Sequence, residues 1–311
     1  MLSVVIPARN EEFLPQTIED ILKNKRGATE IIVGLDGYKP KLPKHQDIKE
    51  VYYKESIGQR AITNRCVEQS ISKYIMKVDA HCSFDEGFDV KMMEAFKEVG
   101  DNVVMAPTMR NLHVYDWKCY KCGHKEYQDR PNICPVDGNT MKKKMIWQPR
   151  RGTHNSAYCF DSEPHFQYHS SHKAKQVGDI VETMSLQGSA FMCTREKYWD
   201  LNICDEEFGS WGSQGIEVAC KFWLSGGRVL VNKKTWYAHC FRTKAEFGFP
   251  YPISGKQIQN AKRKARDMFF KNKWGRAIRP LSWLVEKFWP VPGWKDEDLA
   301  KLKFLENLPP K

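Results

Sequence analysis

Nowhere in its 311 residues does the chain carry the run of about 18 apolar side chains that crossing a bilayer demands, so no membrane partner is expected. A charged leader and cleavage site are missing ahead of the strand-like LSVVIP, which reads as a cytoplasmic protein of a bacterial or virus-infected cell. Neither G-x-G-x-x-G nor G-x-x-x-x-G-K-[ST] follows that strand, which removes the dinucleotide fingerprint and the P-loop as ways of holding phosphate. The sequence has no internal repeat and no low-complexity tract, so solenoid and compositionally disordered classes fall away. Acidic residues are the minority charge. The 38 Asp and Glu against 49 Lys and Arg leave a net +11, which calls for an anionic partner such as a nucleotide or a nucleic acid. The ten cysteines are scattered through strand-like and helix-like segments, with three crowded between Cys119 and Cys134. Reduced thiols plus one metal site fit that distribution better than a disulfide framework.

What the chain does have is an alternation of strand and helix signals over its first hundred residues. LSVVIP, LPQTIEDILKN, EIIVGLDG, VYY, a helix from about Gln59 and YIMKVD follow one another. That pattern predicts an α/β fold with a mostly parallel sheet between helix layers, and it sets Asp36 and Asp79 at strand ends on the ligand-binding edge. In SKYIMKVDAHCSF the apolar run stops at Val78, and Asp79 and His81 follow. Taken alone, D-x-H also describes a strand entering a capped, solvated loop. As metal ligands, a carboxylate and an imidazole suit Mn²⁺, with Mg²⁺ as the alternative, better than Ca²⁺. Two ligands leave room for a diphosphate, and a third is expected downstream.

Five segments in order then resemble one family: VDAHCSF, LQGSAFMCTREKYW, WGSQGIEVACKFWLSGG, WYAHCFR and QNAKRKARDMFFKNKW. They are similar to the metal motif, the glycine-containing strand and helix, the W-G-G-E-N-L-E segment, the G-H-V-F-R segment and the helix after the mobile loop of the polypeptide N-acetylgalactosaminyltransferases. More broadly they resemble GT-A, family-2-like glycosyltransferases. The resemblance implies a GT-A (Rossmann-like) nucleotide-sugar glycosyltransferase fold over residues 1–275, interrupted by an insertion at 111–146, with 276–311 as a C-terminal extension. It implies transfer of a hexose or N-acetylhexosamine from a UDP-sugar to a hydroxyl, with His239 joining Asp79 and His81 around Mn²⁺.

By the same resemblance Asp36 contacts the uridine, while Pro7, Ala8 and Asn10 line its pocket. Arg60 adds charge near the diphosphate, although it does not fall on the family's arginine positions. Gln214 and Glu217 stand where the family has two glutamates, and Gly215 where inverting relatives often carry an aspartate base. Lacking that base, the chain is expected to transfer with retention. Glu217 is expected to position the acceptor or to stabilise positive charge on the sugar, and Trp211 to line the sugar or acceptor site. Residues 243–255 correspond to the family's lid.

The insertion has its own chemistry. CYKCG and, eleven residues on, CPVDG have the form of two zinc knuckles, with Cys119, Cys122 and Cys134 as thiolates for a structural Zn²⁺. Asp137 is preferred as fourth ligand for its place in the repeat, with His124 and His113 as the nearby alternatives. Around these ligands lie Lys118, Lys121, Lys125, Arg130, Lys142, Lys143, Lys144, Arg150 and Arg151, interleaved with Tyr120, Tyr127 and Trp147. That is the composition of a nucleic-acid grip, which favours a hydroxymethylated base in DNA as the acceptor. The alternatives are a protein Ser/Thr or glycan acceptor, and an inactive GT-A scaffold that only binds nucleic acid.

Overall fold

The computed structural model describes residues 1–128, 132–241 and 249–307. Its first half runs β1 (Leu2–Ala8), α1 (Leu14–Asn24), β2 (Thr29–Asp36), β3 (Ile48–Tyr53), α2 (Gln59–Glu68), β4 (Tyr74–Val78), β5 (Cys82–Phe84), α3 (Phe88–Val99), β6 (Val103–Lys118), β7 (Lys125–Tyr127) and β8 (Lys142–Pro149). The second half runs β9 (Tyr158–Phe160), β10 (Phe166–Tyr168), α4 (Ser170–Lys173), β11 (Ile180–Glu182), β12 (Ala190–Thr194), α5 (Arg195–Asp200), α6 (Gln214–Leu224), β13 (Arg228–His239), α7 (Gly255–Ala265), α8 (Leu281–Lys287) and α9 (Asp296–Glu306). No helix among the described residues is long and apolar enough to cross a membrane.

One mixed sheet carries the architecture, in the order β11-β13-β6-β12-β4-β1-β2-β3. Strands β4, β1, β2 and β3 are mutually parallel, and β12 enters antiparallel between β4 and β6. The central strands are buried along their whole length, which is why they read as unbroken apolar runs rather than alternating ones. Period two still shows in where the side chains go. Val5, Ile32, Ile75 and Val104 feed one apolar cluster, while Val4, Ile31, Met76 and Met105 feed the cluster on the other face. Helix α2 lies so close to β2 that a Cβ on Gly34 would stand 2.6 Å from Ile62 Cγ1 and 2.7 Å from Cys66 Sγ.

Strand β6 belongs to two structures at once. Up to Asn111 it pairs with β13, and from Leu112 onward it pairs with β8, so the insertion grows out of a core strand without a linker. At the other end of the chain, Leu281, Leu284, Val285, Phe288, Trp294 and Leu302 are buried in the same cluster as Trp223 of α6. The C-terminal residues therefore complete the core on one face of the sheet. The carboxyl ends of β1, β2 and β4 open into a single large cleft of about 480 Å³.

Candidate metal centre and adjoining cleft

Asp79 follows directly after β4, and His81 directly precedes β5. Because β5 pairs antiparallel with β13, His239 falls opposite Cys82, one residue from His81, and Cys240 N donates to His81 O at 3.1 Å. Backbone pairing thus joins side chains 158 residues apart. His81 Nε2 lies 3.1 Å from His239 Nε2, which in turn lies 3.3 Å from Asp79 Oδ2. The ligand atoms of Asp79, His81 and His239 all fall within 4.8 Å of one another, and all three residues line the cleft. Two ring nitrogens and a carboxylate oxygen this close together can serve as ligands of one ion.

The electrostatics suit a cation. Burial pushes His239 down to about 4, against the pull of the Asp79 carboxylate and with help from His81 and Lys77, so the imidazole is neutral at physiological pH. Burial alone would raise Asp79, but Lys77, His239 and His81 outweigh it and hold the carboxyl well below the usual carboxylate range. A carboxylate with two imidazoles is a donor set for a divalent first-row ion. Behind His81, its Nδ1 sits 3.3 Å from Glu11 Oε2, a charge contact without a hydrogen bond.

Lys77 is the residue that sequence reading missed. Its side chain is fully buried, and its ammonium bonds Asp79 Oδ1 and the Gly188 carbonyl, the latter at 2.7 Å. The signal was a lysine inside the apolar strand YIMKV, since a buried lysine demands a partner.

The other expected residues divide into two groups. Pro7, Ala8, Asp36, Trp211 and Gln214 line the cleft. Asp36 does so with a carboxylate already engaged: it accepts from Ser56 Oγ at 2.7 Å, Ile57 N at 2.6 Å and Gly58 N at 3.2 Å, and so shapes the loop ahead of α2. Trp211 meets Phe249 edge-on at 5.6 Å. Asn10, expected to line the pocket, is not among the residues lining the cleft; it has a left-handed φ of 53° and donates to the Pro250 carbonyl at 3.4 Å.

Arg60 and Glu217 are not brought to the cleft. Both are buried, and Arg60 Nε donates to Glu217 Oε2 at 3.0 Å. Arg60 also donates to the carbonyls of Gly209 at 3.0 Å and Gly212 at 2.6 Å, which pins the loop carrying Trp211. The second oxygen of Glu217 accepts from Asp205 N at 2.8 Å and Lys221 Nζ at 2.9 Å. Expected beside the diphosphate and the acceptor, the two instead brace the floor below. Gly215 has a physical reason of its own: a Cβ there would stand 1.9 Å from the Leu186 carbonyl oxygen. In the insertion, Cys119, Cys122, Cys134 and Asp137 bring their ligand atoms within 4.8 Å of one another, and none of them lines the cleft.

The family described as Glycosyl transferase family 2 matches residues 3–166. Polypeptide N-acetylgalactosaminyltransferase 3 of Drosophila melanogaster is 22% identical over 195 residues, covering 51% of this chain and 29% of the relative. The Homo sapiens polypeptide N-acetylgalactosaminyltransferase 3 is 26% identical over 127 residues, 39% of this chain and 19% of its own. The chain thus spans less than a third of the length of these curated relatives. Among solved structures, that of GalNAc-T7 with UDP, GalNAc and Mn2+ aligns with a TM-score of 0.63 at 16% identity, over 99% of this chain and 55% of that one. At that identity the likeness is one of fold.

Two substitutions test the cleft's supports. Gly215→Ala forces α6 and the 186–188 loop apart, so a loss of about 1–3 kcal/mol in urea unfolding is expected. Gly255→Ala, where a Cβ meets nothing within 4 Å, is the control and stays within about 0.5 kcal/mol. Glu217→Ala leaves Arg60 and Lys221 buried with too little counter-charge and is expected to lose about 3–5 kcal/mol. The double variant Arg60→Met/Glu217→Leu is expected to lose clearly less than the two single changes added together; additive losses would refute the brace.

Proposed function

The chain belongs to glycosyl transferase family 2 and has its GT-A fold, and from that premise we propose that it transfers a sugar from a UDP-sugar to a hydroxyl acceptor with retention. The observation that carries this reading is the triad of Asp79, His81 and His239 facing a cleft of about 480 Å³ at the carboxyl edge of the sheet. The solved neighbour of the same fold holds UDP, GalNAc and Mn2+, which supports a UDP-sugar donor and a divalent ion here. Bound at the triad, Mn²⁺ or Mg²⁺ supplies positive charge against the departing diphosphate. Pro7, Ala8 and Asp36 are assigned to the nucleoside end, and Gln214 and Trp211 to the sugar end, of the same cleft.

The chain's own residues set the stereochemistry. With no space for a side chain at position 215, no carboxylate from there takes the acceptor's proton. The acceptor oxygen bonds to the anomeric carbon as the bond to the diphosphate oxygen breaks, and that oxygen takes the proton on the same face of the sugar. The lid expected over residues 243–255 lies outside the described residues as far as Gly248; its remainder places Phe249, Tyr251, Pro252 and Ile253 along the cleft.

Two acceptor classes are carried. The relatives' names point to hydroxyls of polypeptides. The insertion favours an anionic acceptor, a hydroxymethylated base in DNA: Tyr120 is 62% exposed, with Lys118 and Lys142 at 5.0 and 6.0 Å from its ring. Arg130, from the same basic set, lies outside the described residues. A cytoplasmic location accords with ten free cysteines and with a DNA acceptor.

Purified protein with a panel of UDP-sugars and Mn²⁺ is expected to release UDP slowly. Chelation abolishes the release, and Asp79→Ala lowers it at least a hundredfold. If the parent neither binds nor cleaves any UDP-sugar, the transferase reading fails and an inactive binding scaffold replaces it. Offered Ser/Thr peptides and hydroxymethylated oligonucleotides side by side, the enzyme is expected to add one glycosyl mass to a single class. Gain on the peptides alone would sink the DNA acceptor.

A further inference from the structure

The insertion is built from two turns that repeat each other atom for atom along the backbone. In the first, Cys119 N donates to His124 O at 2.8 Å, Gly123 N donates to Cys119 O at 3.0 Å, and Gly123 is left-handed at φ 80°. In the second, Cys134 N donates to Asn139 O at 2.8 Å, Gly138 N donates to Cys134 O at 2.9 Å, and Gly138 is left-handed at φ 69°. Cys122 in one turn therefore corresponds to Asp137 in the other. A turn of this kind aims the side chains at its first and fourth positions the same way, so two of them facing each other enclose a point with four donors.

The distances agree with a closed tetrahedron. Cys122 Sγ and Cys134 Sγ are 3.5 Å apart, too far for a disulfide. Metal–sulfur bonds of about 2.3 Å at tetrahedral angles put two sulfurs about 3.8 Å apart, and a sulfur and an oxygen about 3.5 Å apart. Cys119 Sγ lies 3.4 Å from Asp137 Oδ2. The competing imidazoles are engaged elsewhere: His124 Nε2 with Glu126 at 2.9 Å, and His113 Nε2 with Asp116 at 2.7 Å.

A reason for a metal comes from the packing. Among the described residues the apolar cluster here is Cys119, Cys134 and Met141, with Trp117 against it, which is too little to hold a polar loop of this length. We propose that Cys119, Cys122, Cys134 and Asp137 bind one zinc ion as a structural three-thiolate, one-carboxylate centre, with Asp137 as the fourth ligand. The ion would close the tip of a ribbon anchored to the fold along its length: Trp147 Nε1 donates to Asp20 Oδ2 of α1 at 3.0 Å, and nearer the tip Lys143 bonds Glu12, just ahead of α1, at 2.8 Å. The proposal does not rest on the transferase reading.

Cobalt(II) titration of the metal-free full chain tests it, because thiolate-to-cobalt charge-transfer absorption reports only the clustered thiols and is blind to the Asp79 triad. One equivalent is expected to saturate the band, and zinc to bleach it. Asp137→Cys, adding a fourth thiolate, is expected to raise its intensity by roughly a third. Asp137→Ala weakens zinc at least tenfold, while His124→Ala and His113→Ala leave band and affinity unchanged. A parent protein with no thiolate band at one equivalent of cobalt overturns the site, a result read without any variant. Loss of the band in His124→Ala or His113→Ala, with Asp137→Ala like the parent, overturns the assignment of Asp137.

Discussion

The buried ammonium of Lys77 sets the terms for everything around the cleft. Taking a charge out of water is tolerable only when strong partners replace the solvent, and here the partners are Asp79 and the Gly188 carbonyl. That requirement ties the end of β4 to the 186–188 loop. The loop in turn packs against the start of α6: a Cβ on Gly188 would stand 3.1 Å from Gln214 Oε1. One turn further along α6, Glu217 reaches Arg60, and Arg60 holds the carbonyls on either side of Trp211. Two buried polar clusters, Lys77 with Asp79 and Gly188, and Arg60 with Glu217 and the carbonyls beside Trp211, are thus joined by the packing of the 186–188 loop on α6. Within each cluster the charges are paired, which favours a rigid cleft.

The same arrangement assigns the two oxygens of Asp79 separate duties. Oδ1 is held by Lys77, and Oδ2 faces His239. A carboxylate so divided is aimed before any ligand arrives, which spares the ordering of its side chain at the moment of binding. His239 is prepared in a different way, by burial that keeps its imidazole neutral. Preorganisation in this site comes from charge pairing on one strand and desolvation on another.

Sequence reading located what local pattern encodes. The alternation over the first hundred residues, the break at Asp79 and the repeated C-x-x-C-G and C-x-x-D-G turns are all properties of short stretches. Pairing across the chain is not. His239 became a ligand candidate only through family resemblance, because the β5–β13 register that delivers it joins segments about half the chain apart. Arg60 and Glu217 looked like functional groups because charge is legible in a sequence, whereas their mutual burial over 157 residues of separation is not. Gly215 read as a missing base; its cause is the approach of the Leu186 carbonyl, which only three dimensions reveal. Lys77 was absorbed into an apolar run whose pattern it breaks.

The two candidate metal centres differ in the property that separates metal chemistries. In the ribbon, four donors converge from two equivalent turns, outside the cleft, and leave no coordination position toward a ligand. At the sheet edge, three donors converge from β13 and the β4–β5 turn, and their open side faces the cleft. A closed set of three thiolates and a carboxylate is suited to an ion held for the sake of the fold. An incomplete set of harder donors binds one firmly only when something else finishes the shell, and a diphosphate is the natural group to do so in a cleft of this size. Strand β6 connects the two: it pairs with β13 up to Asn111, opposite His239, and then continues into the ribbon as far as Lys118, next to Cys119. The ribbon and the metal edge thus share one strand, with the pairing partner changing from β13 to β8 between Asn111 and Leu112.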